Sequence, residues 1–347
     1  MENVHQVEAD RTVDYDAVRS GGVGLINLSS RARISVGGAE AVMFLNGLIT
    51  NDMKSLAENS WIPAVFPNVQ GRLIAAVRVM RLNDHSDGKP RFLIDSESAT
   101  HQPVLKTIER FTMAGDFKVV DVSSDTRMLS IQGRDASIVV ETVFGDGPAK
   151  LPKNGIENVR WREVECTIVR ASHTSEDGFD VIIGENTATD LANKCTEAGA
   201  VPVSEETFET LRIEAGVGRF GQDMDESNVV TEANLDDAVS FTKGCYIGQE
   251  IIARIKYRGH VAKKLTGITL ERAERVEPGT IVRSTNGKEV GRITSLAFSP
   301  VLEKTIALGY VRYEQLTPGT EVRIGDSEMK AVVTELPFIR GSWYEGN

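Results

Sequence analysis

Between residues 22 and 36 short apolar runs alternate with polar positions, which is the pattern of strand material. The period changes after Gly37-Gly38-Ala39-Glu40. Ala41, Phe44, Leu45 and Leu48 recur at spacings of three and four and predict a helix, closed by the turn chemistry of Thr50-Asn51-Asp52. Residues 66–82 read as a hairpin whose two apolar runs break at 68–71. Another strand is expected at 91–95, and an amphipathic helix over 101–113 ending near Gly115. Strand alternation returns over 127–132, 160–170 and 179–183. The clearest helix is 204–216: Ser204 can cap it, Glu205 and Glu206 fill its first turn, and Gly216 stands where a terminating glycine belongs. An irregular loop then runs to about Gly248. From Leu265 onward, short runs rich in Val, Ile and Thr are separated by turn signals such as Glu277-Pro278-Gly279, Asn286-Gly287 and Thr317-Pro318-Gly319. Five or six strands at this spacing predict a small antiparallel barrel or sandwich. Interleaved α and β elements over 1–261, followed by an all-β unit over 262–347, make the fold class α+β.

The length of 347 residues, at about 150 per domain, fits two or three domains. Hydrophobic residues at 41% provide for real cores, which excludes a disordered chain. The longest apolar runs, such as 73–77, are far too short to span a bilayer, so no membrane association is expected. The first ten residues are acidic and polar, unlike a secretory signal or a transit peptide, and a cytoplasmic location is expected. Cys166, Cys195 and Cys245 are an odd set without Cys-x-x-Cys spacing, and the five histidines are scattered. Neither a disulfide framework nor a permanent metal site is expected.

Three segments carry candidate chemistry. Arg212 lies four residues after Phe208, on the apolar stripe formed with Leu211 and Ala215. It is therefore partly buried and needs an anionic or carbonyl partner, either an internal carboxylate such as Glu214 or a ligand. In Lys243-Gly-Cys-Tyr-Ile-Gly-Gln-Glu250, glycines on both sides of Cys245 and Tyr246 allow close backbone approach. Lys243 would favour a Cys245 thiolate if the two share a face; otherwise the cysteine is a small buried hydrophobe. Residues 243–264 carry a net charge of +5 within a chain of net charge -11. Such an island suits a polyanion, RNA included, while the alternation of Arg254, Lys256 and Arg258 equally fits the wet face of an edge strand. Gly22-Val23-Gly24 is followed by Asn27 where a dinucleotide fingerprint needs a third glycine, and no phosphate-binding Gly-Lys-Ser or Gly-Lys-Thr is present.

The segment Lys243-Gly-Cys-Tyr-Ile-Gly-Gln-Glu250 resembles the signature of the YgfZ-type folate-binding proteins, relatives of the glycine-cleavage T-protein. The resemblance extends through most of the chain. It takes in Phe44-Leu45-Asn46-Gly47, Gln70-Gly71-Arg72, Arg212-Ile-Glu-Ala-Gly216, Arg219-Phe-Gly221, Arg258-Gly-His260, Val290-Gly-Arg-Ile-Thr-Ser295 and Leu336-Pro337-Phe338. It implies a three-domain cloverleaf: two interlocked α+β domains and a C-terminal antiparallel β-barrel around a channel that binds tetrahydrofolate. It also implies a role in assembly or repair of iron–sulfur clusters, with Cys245 as the key thiol and Lys243 beside it. Iron–sulfur client or assembly proteins would then be partners. Arg212, Asp180, Tyr246 and Gln249 are assigned by the same resemblance to the folate pocket.

Departures from the transferase branch bear on activity. Where that branch reads the pterin with a longer carboxylate, this chain has Gly178-Phe179-Asp180. Where it carries a catalytic aspartate after the hairpin glycine, this chain has Arg72-Leu-Ile-Ala-Ala-Val77, with no acid. Whether the chain is an enzyme is therefore left open. The leading expectation is a tetrahydrofolate-binding protein assisting iron–sulfur maturation. The alternatives are a folate-dependent aminomethyl or methyl transferase and an RNA-modifying protein.

Overall fold

A computed structural model describes residues 12–84, 88–111, 115–270, 276–326 and 328–345. The first ten residues, on which the cytoplasmic expectation drew, and Thr112 and Met113 of the expected 101–113 helix lie outside the described residues.

Two sheets share the first 261 residues, and the chain passes repeatedly between them. One sheet has six strands in the order Val201–Pro202, Gly24–Asn27, Thr126–Gln132, Gly178–Gly184, Val164–Arg170, Ile156–Trp161. The other has five, in the order Ser60–Pro67, Leu73–Leu82, Arg91–Ser96, Ala32–Gly37, Lys118–Asp121. Consecutive strands Gly24–Asn27 and Ala32–Gly37 thus fall in different sheets, which interlocks the two units. Each sheet has its own apolar core, one around Ile131, Phe179 and Leu191, the other around Leu45, Phe66 and Ile94. A further cluster, with Ile26, Met80, Leu93 and Ile182 among its members, draws on both sheets and packs them together. The expected helix after Gly37 is Ala41–Leu48, and the one near residue 101 is His101–Phe111.

Six strands between Lys263 and Thr334 close into an antiparallel barrel, so the last unit is a barrel rather than a sandwich. The α+β class with a C-terminal antiparallel barrel is the architecture observed. No helix among the described residues is long and apolar enough to cross a membrane.

The helix Glu205–Glu214 ties the lobes together. Ser204 caps it as expected, its hydroxyl accepting from Thr207 N at 3.2 Å. Glu214 at the other end is fully buried and accepts hydrogen bonds from the hydroxyls of Tyr15 at 2.7 Å and of Ser299 in the barrel at 2.6 Å. Arg19 supplies the countercharge at 2.8 Å. Glu214 therefore serves the N-terminal helix Val13–Arg19 and the barrel, not Arg212. Since Ser204 also bonds Asp14 through its N–H and hydroxyl, each at 2.9 Å, it holds a helix start and a tertiary contact together. Ser204→Ala is expected to cost about 1–2 kcal/mol, read from the shift of the urea midpoint at unchanged slope.

Candidate functional site

Where the two sheets and the 217–220 loop converge there is a cavity of about 300 Å³, lined by Arg31, Glu97, His173, Glu205, Phe208 and Arg219 among others. Beneath it runs a chain of buried charges. Arg31 pairs with Asp95 at 2.8 Å and with Glu97. Arg78 reaches Asp95 at 3.1 Å and Asp180 at 2.6 Å. His173 Nε2 meets both oxygens of Asp180, at 3.1 and 3.0 Å. Arg78 and Asp95 face each other across neighbouring strands of one sheet, whereas Asp180 belongs to the other, so the Arg78–Asp180 pair is a bond between sheets. Burial by itself would raise the Asp180 carboxyl, but the His173 imidazole and the Arg78 guanidinium hold it well below the usual carboxylate range. Asp95 is likewise held down, against its burial, by Arg31 and Arg78. An ionised Asp180 against Nε2 favours the tautomer with its proton on that nitrogen, which leaves Nδ1 as the acceptor.

Asp180 itself does not line the cavity; His173 does. Arg212 lines it but has no N–H to spare. Its five donors go to Glu209, which takes two, to Val217 O at 3.0 Å, to Asp223 at 2.5 Å and to the Ser295 hydroxyl at 2.7 Å. The partner that Arg212 requires is therefore internal, and it comes from Glu209 and Asp223. Arg219 is the more available cation: its side chain is 35% exposed, and Glu209 at 3.1 Å is its one ion-pair partner among the described residues.

The signature residues form a separate place, and none of Lys243, Cys245, Tyr246 and Gln249 lines the cavity. Lys243 turns inward. Its ammonium donates to the carbonyls of Asn46 at 2.7 Å, Ile49 at 2.9 Å and Asn51 at 2.6 Å, anchoring the loop to the end of the helix Ala41–Leu48. Burial pushes this ammonium down to about 8. The expected service of Lys243 to a Cys245 thiolate is thus replaced by a structural one. Tyr246 is buried against Val65, Leu73 and Ile252, and burial pushes its phenol up to about 12. Gly248 has φ 76°, and a Cβ there would lie 2.4 Å from the Asn68 carbonyl oxygen, so the loop presses on the hairpin turn at a point only glycine fills. Burial pushes the thiols of Cys166 and Cys195 up to about 11 and about 12, whereas Cys245 is exposed.

Gln249 opens a helix, Gln249–Arg258, so the alternating cations 254, 256 and 258 do not lie on an edge strand. The charges of 243–264 also do not pool on one face: Lys243 is buried, and Lys264 pairs with Asp236 at 2.6 Å. Among the described residues no three His, Cys, Asp or Glu side chains gather as a metal-holding set.

The GCVT N-terminal domain family matches residues 5–243, more than half of the chain. The chain belongs to the GCVT family. The glycine cleavage T-protein C-terminal barrel domain matches residues 263–339. Similar proteins include an aminomethyltransferase of Thermoanaerobacter pseudethanolicus, 27% identical over 95% of this chain and 89% of the relative. Another, from Caldanaerobacter subterraneus, is 29% identical over 95% and 88%. The crystal structure of the glycine cleavage system aminomethyltransferase T from Bartonella henselae superposes with a TM-score of 0.86 at 22% identity, covering 94% of this chain and 89% of that one. Within the GCVT fold, the strand after Gly71, Leu73–Leu82, carries no acid in this chain, and Ala75 near its start is fully buried.

The sequence assigns no site role to His173 or to the Arg31–Asp95–Arg78 chain, and Arg219 enters there only as part of the Arg219-Phe-Gly221 resemblance. The one local signal was Arg78, a charge in an otherwise apolar stretch of strand. Arg78→Met would leave two buried carboxylates short of a cation, at a cost on the order of 3–5 kcal/mol. Both acids have folded pKa values below the unfolded 3.8, so their contribution is present above that pH and fades as pH falls through the lower folded values. Denaturant titrations should therefore show the largest deficit of the variant near pH 7 and a smaller one below pH 4.

Proposed function

We propose that this chain binds a reduced folate in the central cavity and transfers a one-carbon unit carried on it. The observation that carries this reading is the cavity lining. A flat ring rich in N–H donors, with a carboxylate tail, needs carboxylate acceptors, apolar walls and a cation. Glu97 and Glu205 supply the first, Phe208 and Phe220 the second, and Arg219 the third. The volume of about 300 Å³ lies at the lower end of small-molecule sites. Arg212 and Asp180 act through their neighbours: Arg212 fixes Glu209 and the 217–223 loop, and Asp180 fixes the His173 ring. The bound folate would supply the nitrogen that carries the one-carbon unit. His173 Nδ1 would accept or return the proton at that nitrogen, a task for which the strand after Gly71 offers no aspartate. The full-length similarity to aminomethyltransferases supports the transferase chemistry over the alternatives.

Calorimetry with tetrahydrofolate tests the pocket. Saturable one-site binding is expected, weakened at least tenfold in Arg219→Ala and unchanged in Cys245→Ala. His173→Gln should keep binding within a few-fold while lowering transfer from an aminomethylated or methylated donor by about 10²–10⁴. Absence of saturable binding to folded wild type would refute the reading.

The exposed Cys245 supports a second reading, the iron–sulfur assembly or repair associated with the YgfZ-type signature. A lone thiol holds no cluster by itself, so such a role needs ligands from a client or assembly protein. It predicts that Cys245→Ala folds and binds folate normally yet fails to restore iron–sulfur enzyme activity in cells lacking the protein. Full restoration would remove it.

A further inference from the structure

A groove of about 700 Å³, larger than the central cavity and sharing no lining residue with it, runs between the 221–228 loop and the outer face of the barrel. Three neighbouring strands build its barrel wall: Lys263–Leu270, Lys304–Arg312 and Glu289–Ser299. Their register sets Lys263 directly opposite Arg312, and Arg292 directly opposite Tyr310. Tyr310 and Arg312 are two apart on one strand and share a face. That face is the outer one, since Tyr310 packs with Ile213 and Leu265 and not with the barrel interior. The register therefore gathers three cations around one phenol.

Like charges directly opposite each other on adjacent strands destabilise a sheet. Among the described residues nothing offsets the pair fully. Neither Arg292 nor Arg312 has an ion-pair or hydrogen-bond partner among the described residues. The Lys263 ammonium lies over the Tyr310 ring, 4.9 Å from its centroid. Three acids stand near the phenol: Asp223 is held by Arg212, Ser295 and Thr294, Glu232 by Asn228 and the Val229 N–H, and Asp225 takes the Ser227 N–H while offsetting part of the Lys263 charge. Glu289 is exposed. Tyr310 adds an independent sign of a ligand. It is 5% exposed, and its hydroxyl has no hydrogen-bond partner, a costly state for a buried polar group.

We propose that this groove binds a small polyanion, whose phosphate or carboxylate groups sit among Lys263, Arg292 and Arg312 and accept a hydrogen bond from Tyr310. The site is separate from the folate pocket and stands whether or not that pocket binds folate. At about 700 Å³ the groove has room for more than one anionic group, and the three cations span three strands, so a ligand with two or more charges uses the site better than a single small anion.

The test is calorimetry and thermal melting of the full chain at low ionic strength, with inorganic pyrophosphate and citrate as probes. One-site binding of at least one probe is expected, weakened at least tenfold by Arg312→Ala and several-fold by Tyr310→Phe, and unaffected by Arg219→Ala. Binding of pyrophosphate alone identifies a phosphate ligand, and binding of citrate alone a carboxylate one. Without ligand, Arg312→Ala should melt at or above the wild-type temperature, because it relieves the repulsion with Lys263. If that variant does not fold, Arg292→Gln carries the same test. Failure of both probes to bind folded wild type, or equal binding by the Arg312 or Arg292 variant, overturns the proposal.

Discussion

The contact between Arg78 and Asp180 is the constraint on which the rest of the arrangement depends. It is a 2.6 Å ion pair between two different sheets, with Asp180 fully buried and Arg78 nearly so. A buried pair of this kind adds little net stability over an apolar packing, but loss of either member leaves an uncompensated charge. Register is what it supplies. The Arg78–Asp95 partnership is fixed by strand pairing, and Asp180 by pairing in the other sheet. The ion pair therefore allows one docking of the two units, and that docking leaves the cavity. Around it, the apolar cluster with Met80, Leu93 and Ile182 provides the bulk of the cohesion.

From this follows the division of labour at the site. The fully engaged carboxylates, Asp180 and Asp95, lie behind the surface; Arg212 lines the cavity with every donor spent, and the less engaged His173, Arg219 and Glu205 face it. A folded chain that must hold an amphipathic ligand is expected to place its charges this way. Inner charges are saturated to avoid desolvation cost, and outer ones retain capacity for a guest. The signature loop takes another path, anchored by the Lys243 ammonium on three carbonyls and by Gly248 against the hairpin turn, and it ends with Cys245 exposed.

Local chemistry made some of this legible in the sequence and left the rest hidden. The helix Glu205–Glu214 was readable because Ser204, the acidic first turn and Gly216 all speak for it within a few residues. The barrel was readable from its regular turn signals. The helix Ala136–Phe144 was not, because Ile138, Val139, Val140 and Val143 are residues that favour strands, and packing against the sheet overrides that preference. In Gln249–Arg258 the period-two run of cations imitated a strand, while Ile252, the residue that packs inward, followed the helical period. Arg212 could be read as buried and in need of a partner, yet its carboxylates lie three and eleven residues away, and Glu214, the nearer acid in sequence, was the wrong one. The Arg78–Asp180 pair was beyond local reading, since its members stand 102 positions apart and two sheets must be in place before it exists.

Hydrogen exchange of the full chain with and without tetrahydrofolate tests the central claim, that the cavity over this ion-pair chain is the folate site, most directly. The account predicts added protection confined to the segments that line the cavity, residues 27–31, 97–99 and 217–220, with the signature loop at 243–248 unchanged. Protection appearing at 243–248, or along the barrel groove at 289–294 in place of the cavity, would contradict it.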